Sequence, residues 1–160
     1  MNQIQNKIDF IFEKIIQCFL LFCIGGELYT TLEIMWRGYT FESMYILAGV
    51  VTISLMLLND TILDYDTEFG IQCLAGGILC TLLEGITGLI VNRDFSQWDY
   101  SNLPFTFFWG QCNLFFVFVW ILISCLGIIF TDWYEWRIMK ICEKPYYRLK
   151  IFNMHKFYFY

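Results

Sequence analysis

The chain has 160 residues, 58% of them hydrophobic, 21% aromatic and only 16% charged, whereas soluble domains are roughly half apolar and a quarter charged. Its net charge is −5 and its pI is near 4.7, with no clustered Lys and Arg of the kind nucleic acid requires, so no nucleic-acid partner is expected. The apolar residues run in long blocks, which points to an all-α membrane protein whose solvent is the lipid bilayer.

In chain order, residues 1–14 carry Lys7, Asp9, Glu13 and Lys14 and read as an amphipathic N-terminal segment. A cleaved leader would show a short apolar core ending in small residues, which this segment lacks. Crossing about 30 Å of hydrocarbon takes about 20 apolar residues, and four transmembrane helices are expected within residues 15–131. The first, 15–36, is interrupted only by Glu27 and Glu33; the second, 44–58, is short and extends at its start only by accepting Glu42. The third, 69–91, carries Glu84, and the fourth, 104–130, places Pro104 in a first helical turn, where no amide donor is needed. Asp99, Ser101 and above all Asn102 are the expected caps of that fourth helix. Residues 132–160 form a basic, aromatic tail, with 132–142 expected as a helix lying in the interface and ended by Pro145.

Four spans put the N-terminus, the middle loop and the tail on one side. That side holds Lys7, Lys14, Arg137, Lys140, Lys144, Arg148, Lys150 and Lys156, against Arg37 and Arg93 on the other. The positive-inside rule then makes both termini cytoplasmic. The middle loop, NDTILDYDTE, is acidic; it either pairs with the basic tail or is solvated separately.

One phrase occurs twice. Slid by 51 residues, GGELYTTLE (25–33) and GGILCTLLE (76–84) agree at six of nine positions. Two spans per copy would give each copy the same direction, a parallel repeat about an axis along the membrane normal. Gly25, Gly26, Gly76 and Gly77 suit close helix packing. Thr30 and Thr81 lie on the same helical face as Glu33 and Glu84, so each helix offers a Gly, Thr and Glu stripe that should face protein. An intramembrane carboxylate costs about 2.5–3.5 kcal/mol on insertion scales and is a functional-site hypothesis by default. Glu33 has Arg37 four residues on, the favoured order for a helical ion pair, whereas position 88 is Gly. Glu84 is therefore the stronger candidate for titrating or binding a cation. In the aromatic outer loop, Trp98, Asp99 and Tyr100 are candidates for an external vestibule above the carboxylates.

Enzymatic signals are thin. His155 is the lone histidine, no Gly-rich phosphate loop with Lys is present, and the seven Cys show no zinc spacing. The expectation is no enzyme, no cofactor and no metal site.

The stretches GGELYTTLEIMWRG, SMYILAGV, LLEGITGLIVN, WDYSNLPF, GQC and DWYEWRIMKICEKPYYRL resemble the small bacterial ABC-transporter permease (type IV) family over residues 25–149, WDYSNLPF being the most specific piece. Matching positions are Gly26, Glu33, Arg37, Gly38, Glu84, Gly88, Asn92, Trp98, Asp99, Tyr100, Ser101, Pro104, Gly110 and Gln111. The chain departs from the family after Pro104, where FTFFWGQCNLFF is more aromatic. The resemblance implies a multi-pass protein of a bacterial plasma membrane with a part in transport. A chain this short would work as a homo-oligomer, with another membrane subunit or with a cytoplasmic ATPase. Two readings follow: a transporter or channel-like permease subunit with an outward-facing polar site, or a non-transporting membrane adaptor whose Gly and Glu stripes serve helix packing.

Overall fold

A computed structural model of the chain describes the backbone of residues 2–149 and 154–158, and side chains from 8 to 149. Lys7, Lys150, His155 and Lys156, counted above, have side chains outside the described residues. The chain divides into two compact units, Met1–Ile53 and Ser54–Tyr160. Helix α1 spans Asn2–Arg37 without a break, so the amphipathic segment and the first apolar run are one helix. Helix α2, Glu42–Thr61, accepts Glu42 at its start and runs past 58, passing from one unit into the other. Helix α3 covers Phe69–Val91, the bounds read from the sequence. Helix α4 covers Leu114–Tyr134 and continues into a π-helical turn, Glu135–Met139. Three of these segments, Glu42–Thr61, Phe69–Val91 and Leu114–Met139, are long and apolar enough to cross a membrane.

Helix α3 shows how such a helix is built. Ile71, Leu74, Ile78, Leu82, Ile86 and Ile90 recur every three or four residues and are all exposed, while Gln72, Cys73, Gly76, Gly77, Cys80, Thr81, Glu84, Gly85 and Gly88 are buried. Large apolar residues face outward and small or polar ones inward, the pattern expected when lipid is the solvent and backbones must approach closely.

In the first unit α1 packs on the start of α2 around Leu21, Met44, Leu47 and Val51. A Cβ on Gly25 would strike the Thr52 side chain, and one on Gly26 would come within 2.7 Å of the Tyr45 ring. In the second unit α3 lies along α4, and a Cβ on Gly77 would come within 2.8 Å of the Ile121 Cα and 2.9 Å of its amide nitrogen. Thr30 donates to the Gly26 carbonyl and Thr81 to the Gly77 carbonyl, both at 2.9 Å. Thus each threonine satisfies its hydroxyl on its own helix, at matching places in the two copies of the repeated phrase.

Two segments differ from the sequence reading. The fourth helix does not start at Pro104. Residues 104–113 instead hold a short antiparallel hairpin, β1 (Thr106–Phe107) with β2 (Cys112–Asn113). Asn113, and neither Asp99, Ser101 nor Asn102, caps α4, its side chain accepting from the Phe115 amide at 2.9 Å. The turn needs left-handed backbone at Phe108, Trp109 and Gly110; glycine adopts that conformation freely, and the two aromatic residues adopt it under strain. Asn113 Nδ2 holds the loop by donating to the Pro104 carbonyl at 2.7 Å and to Thr106 Oγ1 at 3.0 Å.

The tail also differs. Residues 132–139 continue α4, so there is no separate interfacial helix, and left-handed Lys140 stops the π turn. Beyond it β3 (Tyr146–Leu149) pairs antiparallel with β4 (Met154–Tyr158). This hairpin docks on the acidic middle loop. Arg148 pairs with Asp66 at 2.8 Å, the Tyr146 hydroxyl donates to Asp66 at 2.8 Å, and the Phe69 and Tyr147 rings lie 4.8 Å apart. Acidic loop and basic tail therefore do pair. Both ionic partners are about half exposed (43% and 56%), so Arg148→Ala is expected to shift the unfolding free energy by no more than about 1 kcal/mol, measured as the unfolding midpoint in detergent.

Candidate functional site

The site forms where the C-terminal end of α3 meets the first turns of α4. Asn92, fully buried, ends α3 and organises the loop beyond it. Its Oδ1 accepts from the Gln97 amide at 2.8 Å, and its Nδ2 donates to the Trp98 carbonyl at 2.7 Å and to Gln111 Oε1 at 3.0 Å. Gln111 Nε2 returns a bond to the Asn92 carbonyl at 3.0 Å. The Gln111 amide lies over Gly88, where any side chain would strike it. The Trp98 indole donates to the Gln111 carbonyl at 3.1 Å. This closed set of bonds fixes the path of residues 92–113 and delivers Tyr100 inward, where its ring stacks on Phe116 at 4.6 Å.

Tyr100 meets Glu84 there. The Tyr100 hydroxyl donates to Glu84 Oε1 at 3.1 Å, and the Trp120 indole donates to Oε2 at 3.0 Å. Glu84 is 5% exposed. Among the described residues no Lys, Arg or His pairs with it. Within the described residues its charge therefore faces two neutral donors and no counter-ion. The arrangement can pass a proton. Indole N–H only donates, which leaves Oε2 an acceptor, whereas a phenol both donates and accepts, so Oε1 can take a proton while the Tyr100 hydroxyl turns to accept it.

The other sequence candidates separate from this centre. Trp98 belongs to the loop-organising set. Asp99 is exposed and closes a turn by accepting from the Ser101 amide at 2.8 Å; these Ser101 bonds hold its carboxyl below the usual aspartate value. Glu33 pairs with Arg37 at 2.8 Å and accepts from the Tyr29 hydroxyl at 3.2 Å and from the Thr40 hydroxyl. Arg37 in turn lies 4.5 Å over the Tyr39 ring. Its charge is balanced within the first unit.

Sequence reasoning did not single out Trp120, because one indole in an apolar run is indistinguishable from its neighbours. It also passed over a second buried carboxylate, Asp132, which lies at the edge of the apolar block and reads from the sequence as the start of the interfacial helix. Asn59 Nδ2 donates to both Asp132 oxygens, at 3.1 and 3.0 Å, and the Tyr147 hydroxyl donates to Oδ2 at 2.8 Å. Comparison of the chain with protein-family models, curated proteins and solved structures finds no match.

Proposed function

We propose that the chain is a multi-pass membrane transport subunit of the permease kind, in which Glu84 takes up and releases a proton. The observation that carries this reading is a carboxylate 5% exposed, held by Tyr100 and Trp120 and paired with no base among the described residues. An ionisable group kept inside an apolar helix at a cost of about 2.5–3.5 kcal/mol marks a proton or ion path by default. Its surroundings favour a proton over a metal cation, since they supply ring and phenol donors where a metal would need several oxygens. Tyr100, delivered by the outer loop, is the relay between Glu84 and the outer face.

In this reading residues 15–36 of α1 make a fourth crossing and both termini are cytoplasmic, as the eight-to-two division of Lys and Arg implies. So short a subunit acts as a homo-oligomer or beside another membrane subunit; the ABC-permease resemblance makes a cytoplasmic ATPase a further partner. The adaptor reading is favoured by the two bonds that fasten Glu84 to α4 and the loop. A pH step separates the two. Liposomes carrying the full chain, adsorbed on a solid-supported electrode, are expected to give a transient current when the outside pH is stepped, reversing with the direction of the step. A response equal to that of empty liposomes contradicts transport and leaves the adaptor.

A further inference from the structure

At the other end of α4 the second unit holds a polar centre of different chemistry. Asp132 is 1% exposed and, among the described residues, is paired with no basic side chain. It lies twelve residues, about 18 Å of helix, from Trp120, so it is separate from the Glu84 site. Each carboxylate oxygen has two lone pairs. Among the described residues Oδ1 accepts one bond, from Asn59, and keeps a lone pair, while Oδ2 accepts from both Asn59 and Tyr147.

Asn59, beside it, carries an unsatisfied group of its own. It is 8% exposed, and with Nδ2 spent on the carboxylate its Oδ1 is buried with no hydrogen-bond partner. Turning the amide over would set Oδ1 against the carboxylate oxygens, so hydrogen bonding alone favours the amide as placed. A buried amide oxygen without a donor costs about 1–3 kcal/mol, and a buried carboxylate without a counter-charge costs more. One ligand relieves both: a cation. The surroundings are electronegative. Burial, with the nearby carboxylates of Glu135, Asp132 and Asp60, pushes the Cys142 thiol up to about 11, and burial with Asp132 raises the Tyr65 phenol above its usual value.

The oxygens also select the cation. Among the described residues no three His, Cys, Asp or Glu side chains are grouped to hold a metal ion, so they offer no ligand set of the kind transition metals take, and a divalent ion beside one carboxylate would leave a net charge buried. One carboxylate, one amide oxygen and a phenol oxygen balance a single positive charge. We infer that Asp132 and Asn59 bind a dehydrated alkali-metal cation, with Tyr147 of β3 closing the site from the tail. The π turn at Glu135–Met139 starts three residues on, a local irregularity of the kind that recurs at functional sites in α-helices.

The test uses the full chain in detergent. Its thermal midpoint is followed against NaCl, KCl and choline chloride at constant ionic strength, with binding of radiolabelled Na+ measured in parallel. The midpoint is expected to rise with Na+ or K+ and not with choline, and both Asp132→Asn and Asn59→Ala are expected to lower affinity at least tenfold. No difference between alkali and choline salts in the wild type, or a response only to Mg2+ or Ca2+, overturns the inference. So does an alkali response that survives both substitutions. If Asp132→Asn fails to fold, Asn59→Ala and the wild-type titration still decide.

Discussion

Glu84→Gln is expected to abolish the current evoked by a pH step, reducing the charge moved to that of empty liposomes, while the protein stays folded. Glutamine keeps the length of the side chain and an acceptor oxygen for one donor, but it can neither release nor take up a proton in this range. Losing one of the two bonds to Trp120 and Tyr100 costs about 0.5–1.5 kcal/mol, and removing an unpaired charge from an apolar environment offsets part of that. The unfolding midpoint should therefore move little. Tyr100→Phe keeps the stack on Phe116 and removes only the hydroxyl, so the current should slow without vanishing. Glu33→Gln should leave the current intact, because the Arg37 ion pair already balances Glu33. A Glu33 variant that lost the current while Glu84→Gln kept it would reverse the assignment.

The largest effect on stability is expected at Gly77. A methyl group there meets Ile121 at the α4 backbone, 2.8 Å from Cα and 2.9 Å from N, and backbone atoms of a packed helix cannot step aside as a side-chain tip can. The α3–α4 pair must part, so Gly77→Ala should cost the upper end of the roughly 1–3 kcal/mol seen for overpacked interiors, and Gly77→Val more. Gly70, near the start of the same helix, provides the control. Nothing lies within 4 Å of its added Cβ, so Gly70→Ala should be neutral or stabilising by up to about 1 kcal/mol, since Ala is the better helix former. Unfolding by added SDS, followed by circular dichroism, checks both. Equal effects would mean that the close approach of α3 and α4 does not hold the second unit together.

Much of this was legible in the sequence, for reasons tied to particular residues. Apolar length placed α3 at its observed bounds, and i,i+4 geometry foresaw the Glu33–Arg37 pair. The separation of Glu84 from Glu33 followed from a Gly standing where the second copy would need a base. Apolarity failed at residues 104–113, because Phe, Thr and Trp are as apolar in a hairpin as in a helix. The local signals there were Gly110 for the turn and Asn113 for the cap, and Pro104 outweighed them by imitating a helix start. Asp132 was hidden for a similar reason. Its partners Asn59 and Tyr147 are 73 residues before it and 15 after it in the chain, and no local pattern links positions so far apart. The tail hairpin was missed because alternating rings and bases fit an interfacial surface as well as a strand.

Infrared difference spectroscopy of the chain in liposomes tests the central claim most directly. As pH is lowered, a carboxylic-acid C=O band is expected to grow at the expense of a carboxylate band, to shift in Tyr100→Phe, which loses the phenol bond to Oε1, and to be missing from Glu84→Gln. A titrating band that persists unchanged in Glu84→Gln would show that Glu84 does not exchange protons and that its bonds to Tyr100 and Trp120 only fasten α3 to its neighbours.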